Sequence, residues 1–107
     1  MKIVKFRGET LTPVFDRYQD NDRLALVLLD EVGISYARAS VNLPDEPLGE
    51  DEIFIKDYSE NEGIFNALVD AGLIVDSGRV VESGFVTIKV GILVVDPKDY
   101  GLKSNDQ

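Results

Sequence analysis

The sequence predicts an α+β domain, in which a mostly antiparallel sheet of five to seven strands forms a single layer and one α-helix, at about residues 60–71, packs on one face. Apolar and polar residues alternate with a period of two through much of the chain, which is typical of strands. Helical spacing of apolar residues is clear only between residues 64 and 72. Short turns rich in Gly, Asp, Asn and Ser separate the strand segments, and such turns favour hairpins.

The composition predicts one globular domain at residues 1–97, followed by a polar tail at residues 98–107. A chain of 107 residues, 44% apolar and 29% charged, is large enough to bury a single core. There is no cysteine, so the core must be stable without disulfides. No apolar run reaches the length of a membrane span or a signal sequence, and we therefore expect a cytoplasmic protein with no membrane partner.

The first half of the chain reads as four strands. Residues 3–7 and 11–18 are short candidates, and residues 23–29 are apolar on both faces, the pattern of a central strand. A turn at residues 31–33 then leads into residues 34–43, which alternate between an apolar and a polar face.

The second half contains the predicted helix between further strands. Residues 52–57 form a short strand, after which Ser59 and Glu62 have the spacing of a capping box and Gly72 can end the helix. Two short strands follow at 73–75 and 79–82, separated by a turn.

The last strand, at residues 85–95, is the clearest in the chain. Val86, Ile88 and Val90 share one face with two further β-branched residues, and the turn at Asp96 and Pro97 ends the strand.

The negative charge is concentrated in residues 45–62. This segment holds eight carboxylates and one lysine, so it carries −7 of the chain's net charge of −9. A concentrated field indicates a surface for a cationic partner, although a solvated loop is the simpler interpretation. Glu60 and Glu62 are explained by a helix start, where acids are favourable. The remaining candidates for binding a basic protein surface are Asp45, Glu46, Glu50, Asp51, Glu52, Asp57 and Tyr58.

The residue types present exclude most familiar catalytic sites. With no histidine and no cysteine, neither the usual nucleophilic triads nor ordinary zinc sites can form. Glycine-rich phosphate-binding motifs are also missing, and the acidic balance argues against direct nucleic-acid binding. We therefore predict no cofactor, no metal and no catalytic residues.

A second class of function stays open at this point. Asp57, Glu60 and Glu62, beside Asn61, supply the oxygens that a small carboxylate-based enzyme or a module binding a divalent metal would use. Pairing of an exposed strand edge with a second copy, and hence a homo-oligomer, is a third alternative.

Three short elements also carry a resemblance to a known family. They are Asn-Leu-Pro at residues 42–44, Ser-Glu-Asn-Glu-Gly at 59–63 and Ser-Gly-Phe-Val at 83–86. Together they resemble a family of short bacterial proteins, a domain of unknown function that is often carried on mobile elements and phages. The resemblance spans most of the chain and implies a fold of this size without a cofactor, and it brings no catalytic residues.

The leading prediction is a non-enzymatic protein-interaction module with an acidic contact surface. The association with mobile elements that the resemblance implies favours a more specific version of this prediction. In that version the protein inhibits a nucleic-acid-binding host enzyme by blocking its basic groove, in the manner of an anti-CRISPR protein.

Overall fold

The computed structural model describes residues 2–103 and confirms an α+β fold with seven antiparallel strands and one α-helix. The strands are β1 (Val4–Phe6), β2 (Glu9–Arg17), β3 (Leu24–Leu29), β4 (Ser35–Arg38), β5 (Glu52–Ile55), β6 (Ile74–Ser83) and β7 (Val86–Leu93). The helix α1 is Ile64–Asp70, and 3-10 helices lie at Ser59–Asn61 and Pro97–Tyr100. None of these helices has the length and apolar character needed to cross a membrane.

The strands form two sheets, where the sequence predicts one layer. The first sheet has the order β1-β2-β3-β4 and the second has the order β5-β7-β6. They meet where the chain leaves β4. There the Ala39 amide donates to the Leu26 oxygen of β3 in the first sheet, and the Val41 amide donates to the Phe54 oxygen of β5 in the second. Helix α1 contacts β1 and β6, the strands farthest from this junction. The helix therefore packs across the open side between the two sheets.

Two apolar clusters hold the fold together. The main core combines residues of both sheets with the inner face of α1, and its largest members include Phe15, Leu28 and Leu68. A smaller cluster forms around Phe54, Ile88 and Val90 of the second sheet. Each fully buried side chain of this size contributes about 1.5–3 kcal/mol. Leu43, just before the acidic segment of residues 45–62, and Leu48, within it, pack against the smaller cluster.

The helix begins differently from the predicted capping box. Ser59 has a positive φ of 56°, and its backbone oxygen accepts from the Glu62 amide in a 3-10 turn. Gly63, at φ 97°, precedes α1, so the helix starts at Ile64 and not near residue 60. The capping prediction was wrong because the left-handed residues at 59 and 63 break the helical path that a capping box requires.

The two short strands predicted at 73–75 and 79–82 are one strand, β6. The register against β7 shifts between Asp76 and Val80, so the expected turn is a bulge. Ser77 Oγ donates to the Val90 oxygen at 2.6 Å and accepts from the Arg79 amide at 3.0 Å. These bonds hold the bulge against β7, which the turn-forming composition alone does not reveal.

Part of the predicted polar tail belongs to the core. Tyr100 is buried, its ring packs edge-on against Phe15 at 6.3 Å between centroids, and its hydroxyl accepts from the Lys2 amide at 3.1 Å. Leu102 packs against the same cluster. Residues 104–107 of the tail lie outside the described residues.

Candidate functional site

The acidic segment has three parts with different surroundings. Residues 44–51, here called the acidic loop, connect the junction between the sheets to β5. Strand β5 then carries the segment through the core, with Ile53, Phe54 and Ile55 all buried. Residues 57–62 form the approach to α1. The predicted carboxylates are therefore not equivalent.

Two arginines hold the backbone at the acidic loop. Arg23 donates from Nη1 to the Leu43 oxygen and from Nη2 to the Glu46 oxygen, both at 2.7 Å. Arg79 reaches the Pro47 oxygen from the other side at 3.3 Å. Leu43 and Leu48 anchor the loop below by packing against the smaller apolar cluster. The loop is therefore held by hydrogen bonds to its backbone oxygens and by the packing of its leucine side chains.

Four carboxylates of this loop are left without an internal partner. Asp45, Glu46, Glu50 and Asp51 make neither an ion pair nor a side-chain hydrogen bond within residues 2–103. Asp45, Glu50 and Asp51 are exposed, and Glu46 is half-buried. Arg23 and Arg79 donate to carbonyl oxygens and to the Glu52 carboxylate but to none of these four side chains, which stay available to solvent or a partner.

Glu52 has an internal role that its neighbours lack. Its Oε1 accepts from Arg79 Nη2 at 2.7 Å and from the Gly49 amide at 2.8 Å. The hydrogen bond from Arg79, followed by that from Gly49, holds the pKa of Glu52 below its ordinary value. This carboxylate ties the end of the acidic loop to β6.

Asp57 stabilises the start of the helix. Its Oδ1 accepts from the amides of Gly63 and Phe65, at 3.0 and 2.9 Å, and its Oδ2 lies 3.1 Å from Lys89 Nζ. These are amides that a helix N-terminus leaves unpaired. Asp57 thus performs the capping that the sequence assigns to Ser59.

Tyr58 packs half-buried against the smaller apolar cluster, and Lys56 lies over its ring at 5.8 Å from the centroid. Lys56 also bonds Glu60 at 2.7 Å, and this contact lowers the pKa of Glu60 and raises that of Lys56. The Tyr58 ring is therefore only partly accessible to a partner.

The alternative constellation of Asp57, Glu60, Glu62 and Asn61 does not converge on a shared space. Asn61 is buried and donates to the Arg38 oxygen at 2.7 Å, while Asp57 caps the helix and Glu60 pairs with Lys56. In the part of the chain that the structure describes, no group of three or more such residues is arranged to hold a metal ion. The geometry gives this alternative no support.

A further residue beside the acidic loop was missed at the sequence level. Phe85 is fully exposed in the turn between β6 and β7. A shallow cleft of about 200 Å³ lies between the start of the acidic loop and Ser83, which places this turn next to Asp45 and Glu46. The Ser83-Gly84 turn signal could have identified Phe85, because a residue in a hairpin turn has little chance of burial. The sequence reading assigned it to the last strand.

Comparisons with models of protein families, with curated proteins and with solved structures return no match.

Proposed function

We propose that this protein is a non-enzymatic interaction module that binds a basic protein surface through the acidic loop and the neighbouring turn at Phe85. One observation carries the proposal. Four carboxylates have no partner among residues 2–103, yet the backbone that bears them is held by Arg23 and Arg79. A charged surface that is already ordered loses less conformational entropy when it binds.

Charge and shape have separate roles in this proposal. The concentrated negative field of the acidic loop speeds encounter with a basic partner and disfavours acidic ones. Phe85 then provides an apolar anchor, since binding energy in such interfaces concentrates in a few aromatic or arginine side chains surrounded by polar ones. The partner we propose is a basic protein surface with an apolar pocket beside it.

A basic nucleic-acid-binding groove is one surface of this kind. A row of fixed carboxylates can occupy the place of phosphates, and the protein would then act as an inhibitor of a nucleic-acid-binding host enzyme, in an anti-CRISPR-like manner. The charge of the acidic loop supports this version.

The test compares three forms of the protein as baits in nuclease-treated bacterial lysate. The loop variant is Asp45→Asn, Glu46→Gln, Glu50→Gln and Asp51→Asn. The remote variant removes the same charge elsewhere, at exposed acids with no internal side-chain contact within residues 2–103: Glu9→Gln, Glu31→Gln, Asp70→Asn and Asp99→Asn. Both variants reduce the formal net charge from −9 to −5, because each removes four charges.

A partner captured by the wild type and the remote variant, but lost by the loop variant, would support the proposal. Phe85→Ser should weaken capture of the same partner by roughly tenfold or more, the scale of a hot-spot residue. The capture should also fall steeply with salt. Equal loss in both charge variants, or an unchanged set of partners, would contradict a site at the acidic loop.

A further inference from the structure

A second surface feature lies beside residues 48–50 at the end of the acidic loop. It is a cleft of about 370 Å³, formed where the end of β2 and the start of β3 face the loop and the second 3-10 helix. Its apolar lining includes Leu24, Leu48 and Leu102. The volume falls within the range of clefts that bind small molecules.

The cleft is lined by charges of both signs, and several of them are already paired. Arg23 is bound to the Leu43 and Glu46 oxygens, and Glu52 is bound to Arg79. Asp96 accepts from the Lys98 amide at 3.0 Å. The charges left with no side-chain partner within residues 2–103 are the ammonium of Lys98 and the carboxylates of Glu50 and Asp22.

Arg17, the remaining cation, is incompletely bonded. Its Nη1 donates to the Asp22 oxygen at 3.0 Å, but its Nε is buried and has no acceptor in the described part of the chain. Because this Nε is enclosed, a ligand in the cleft cannot reach it. Nη2 of the same guanidinium is not enclosed and makes no hydrogen bond within residues 2–103, and Arg17 lines the cleft, so Nη2 can donate to a bound ligand.

The sign of the remaining charges decides the class of ligand. A simple anion would meet Arg17 and Lys98 but would be repelled by Glu50 and Asp22. A simple cation would in turn be repelled by Arg17 and Lys98. We propose that the cleft binds a small zwitterion with an apolar body, of the class of α-amino acids and short peptides. Its carboxylate faces Arg17 and Lys98, its ammonium faces Glu50, and its apolar part covers the leucines.

Three probes of the same shape test this assignment: leucine, 4-methylpentanoate, which lacks the ammonium, and 3-methylbutylamine, which lacks the carboxylate. The readout is the Nε–H resonance of Arg17 in a ¹⁵N spectrum, assigned by its loss in Arg17→Lys. We expect a saturable shift with leucine and binding roughly tenfold or more weaker for the other two probes, the effect of losing one charged contact. No leucine-dependent shift would overturn the proposal, and an equal response to 4-methylpentanoate would show a plain anion site instead.

A matched pair of variants tests the role of Arg17 itself. Arg17→Lys keeps the positive charge but removes the guanidinium and its Nε–H resonance, so leucine binding is followed in both variants by the backbone amide of Gly49, which lines the same cleft. We expect leucine binding to weaken by roughly tenfold in Arg17→Lys. Arg7→Lys is the control, because Arg7 is exposed, bonds the Glu62 oxygen and does not line the cleft. Equal affinity of the two variants would contradict the assignment. The wild-type titration needs no substitution, so it remains decisive if Arg17→Lys fails to fold, and none of these outcomes bears on the capture of a partner by the acidic loop.

Discussion

Single carboxylates in the acidic segment differ in what the chain itself does with them. Glu52 and Asp57 each accept at least two hydrogen bonds, whereas Asp45 accepts none within residues 2–103. The sequence alone could not distinguish these two kinds of carboxylate, because the cations that pair with Glu52 and Asp57 come from distant strands. Lys89 lies 32 residues from Asp57, and Arg79 lies 27 residues from Glu52.

Asp57 is expected to contribute more to stability than any carboxylate of the acidic loop. Asp57→Ala should lower the free energy of unfolding by about 1–2 kcal/mol, because the Gly63 and Phe65 amides lose their acceptor. Asp45→Ala is the control and should change it by less than about 0.5 kcal/mol. Urea unfolding of the two variants measures both values, and similar losses would contradict a capping role for Asp57.

Glu52 should give a pH-dependent contribution to stability. Its pKa is lowered in the folded protein, so its stabilising effect is complete above the ordinary glutamate value of 4.5 and is lost as the pH falls through the lower folded value. Because the ion pair is partly exposed, the effect should be below about 1 kcal/mol. The stability difference between wild type and Glu52→Gln should therefore shrink in acid.

Urea unfolding at several pH values, from neutral into the acid range, checks this expectation. Glu50→Gln is the matched control, since Glu50 has no internal side-chain partner within residues 2–103, and this substitution should cause no loss of stability at neutral pH that disappears in acid. A difference for Glu52→Gln that grows in acid would be inconsistent with a lowered pKa.

At the scale of elements, period-two patterning predicted the strands better than their ends. The predicted strand at residues 34–43 is confirmed only at Ser35–Arg38. Beyond it, Ala39 and Ser40 are both buried, and Ser40 Oγ bonds the Leu26 amide and the Tyr18 hydroxyl. A serine satisfied by two distant groups cannot be distinguished from a solvent-facing serine by alternation alone. The break between the sheets falls at this point.

Strand β7 makes a close contact, between Gly91 and Ile74, that could not be predicted from the sequence. Gly91 is buried, and a Cβ there would lie 2.8 Å from Ile74 Cδ1 and 3.3 Å from Ile74 Cβ. Gly91→Ala should therefore lower the free energy of unfolding by about 1–3 kcal/mol through overpacking.

A second substitution tests whether that contact is the cause. Ile74→Val removes Cδ1 and alone should cost about 0.5–1.5 kcal/mol. In the double variant the two losses should be clearly less than additive, because the clashing atom is gone. Additive losses would show that Gly91 is needed for another reason.

At the scale of the whole molecule, the α+β fold class was predictable from the sequence, but the division of the strands into two sheets was not. Local patterns predicted five to seven strands in a mostly antiparallel arrangement, and the structure has seven antiparallel strands within residues 2–103. The division into two sheets depends on one short segment, residues 39–41, that pairs with β3 on one side and β5 on the other. The same limit applies to the surface, since the place of Ser83, at the start of the turn that carries Phe85, beside Asp45 and Glu46 follows from how the hairpin packs.

The distribution of charge over the molecule leads to a final prediction about stability. The four acidic-loop carboxylates, which no group within residues 2–103 binds, repel one another, so the loop variant should be more stable than wild type at low salt, by roughly 0.5 kcal/mol. The gain should disappear near 1 M salt, where the screening length is about 3 Å. Thermal or urea unfolding at both salt concentrations, with the remote variant as the control of equal net charge, measures it. The gain should be larger for the loop variant, because its four charges lie within seven consecutive residues, 45–51. A loss of stability would mean that the fold itself uses these carboxylates, whereas a gain would show that the protein keeps them at a cost to its stability, as expected for residues retained for binding.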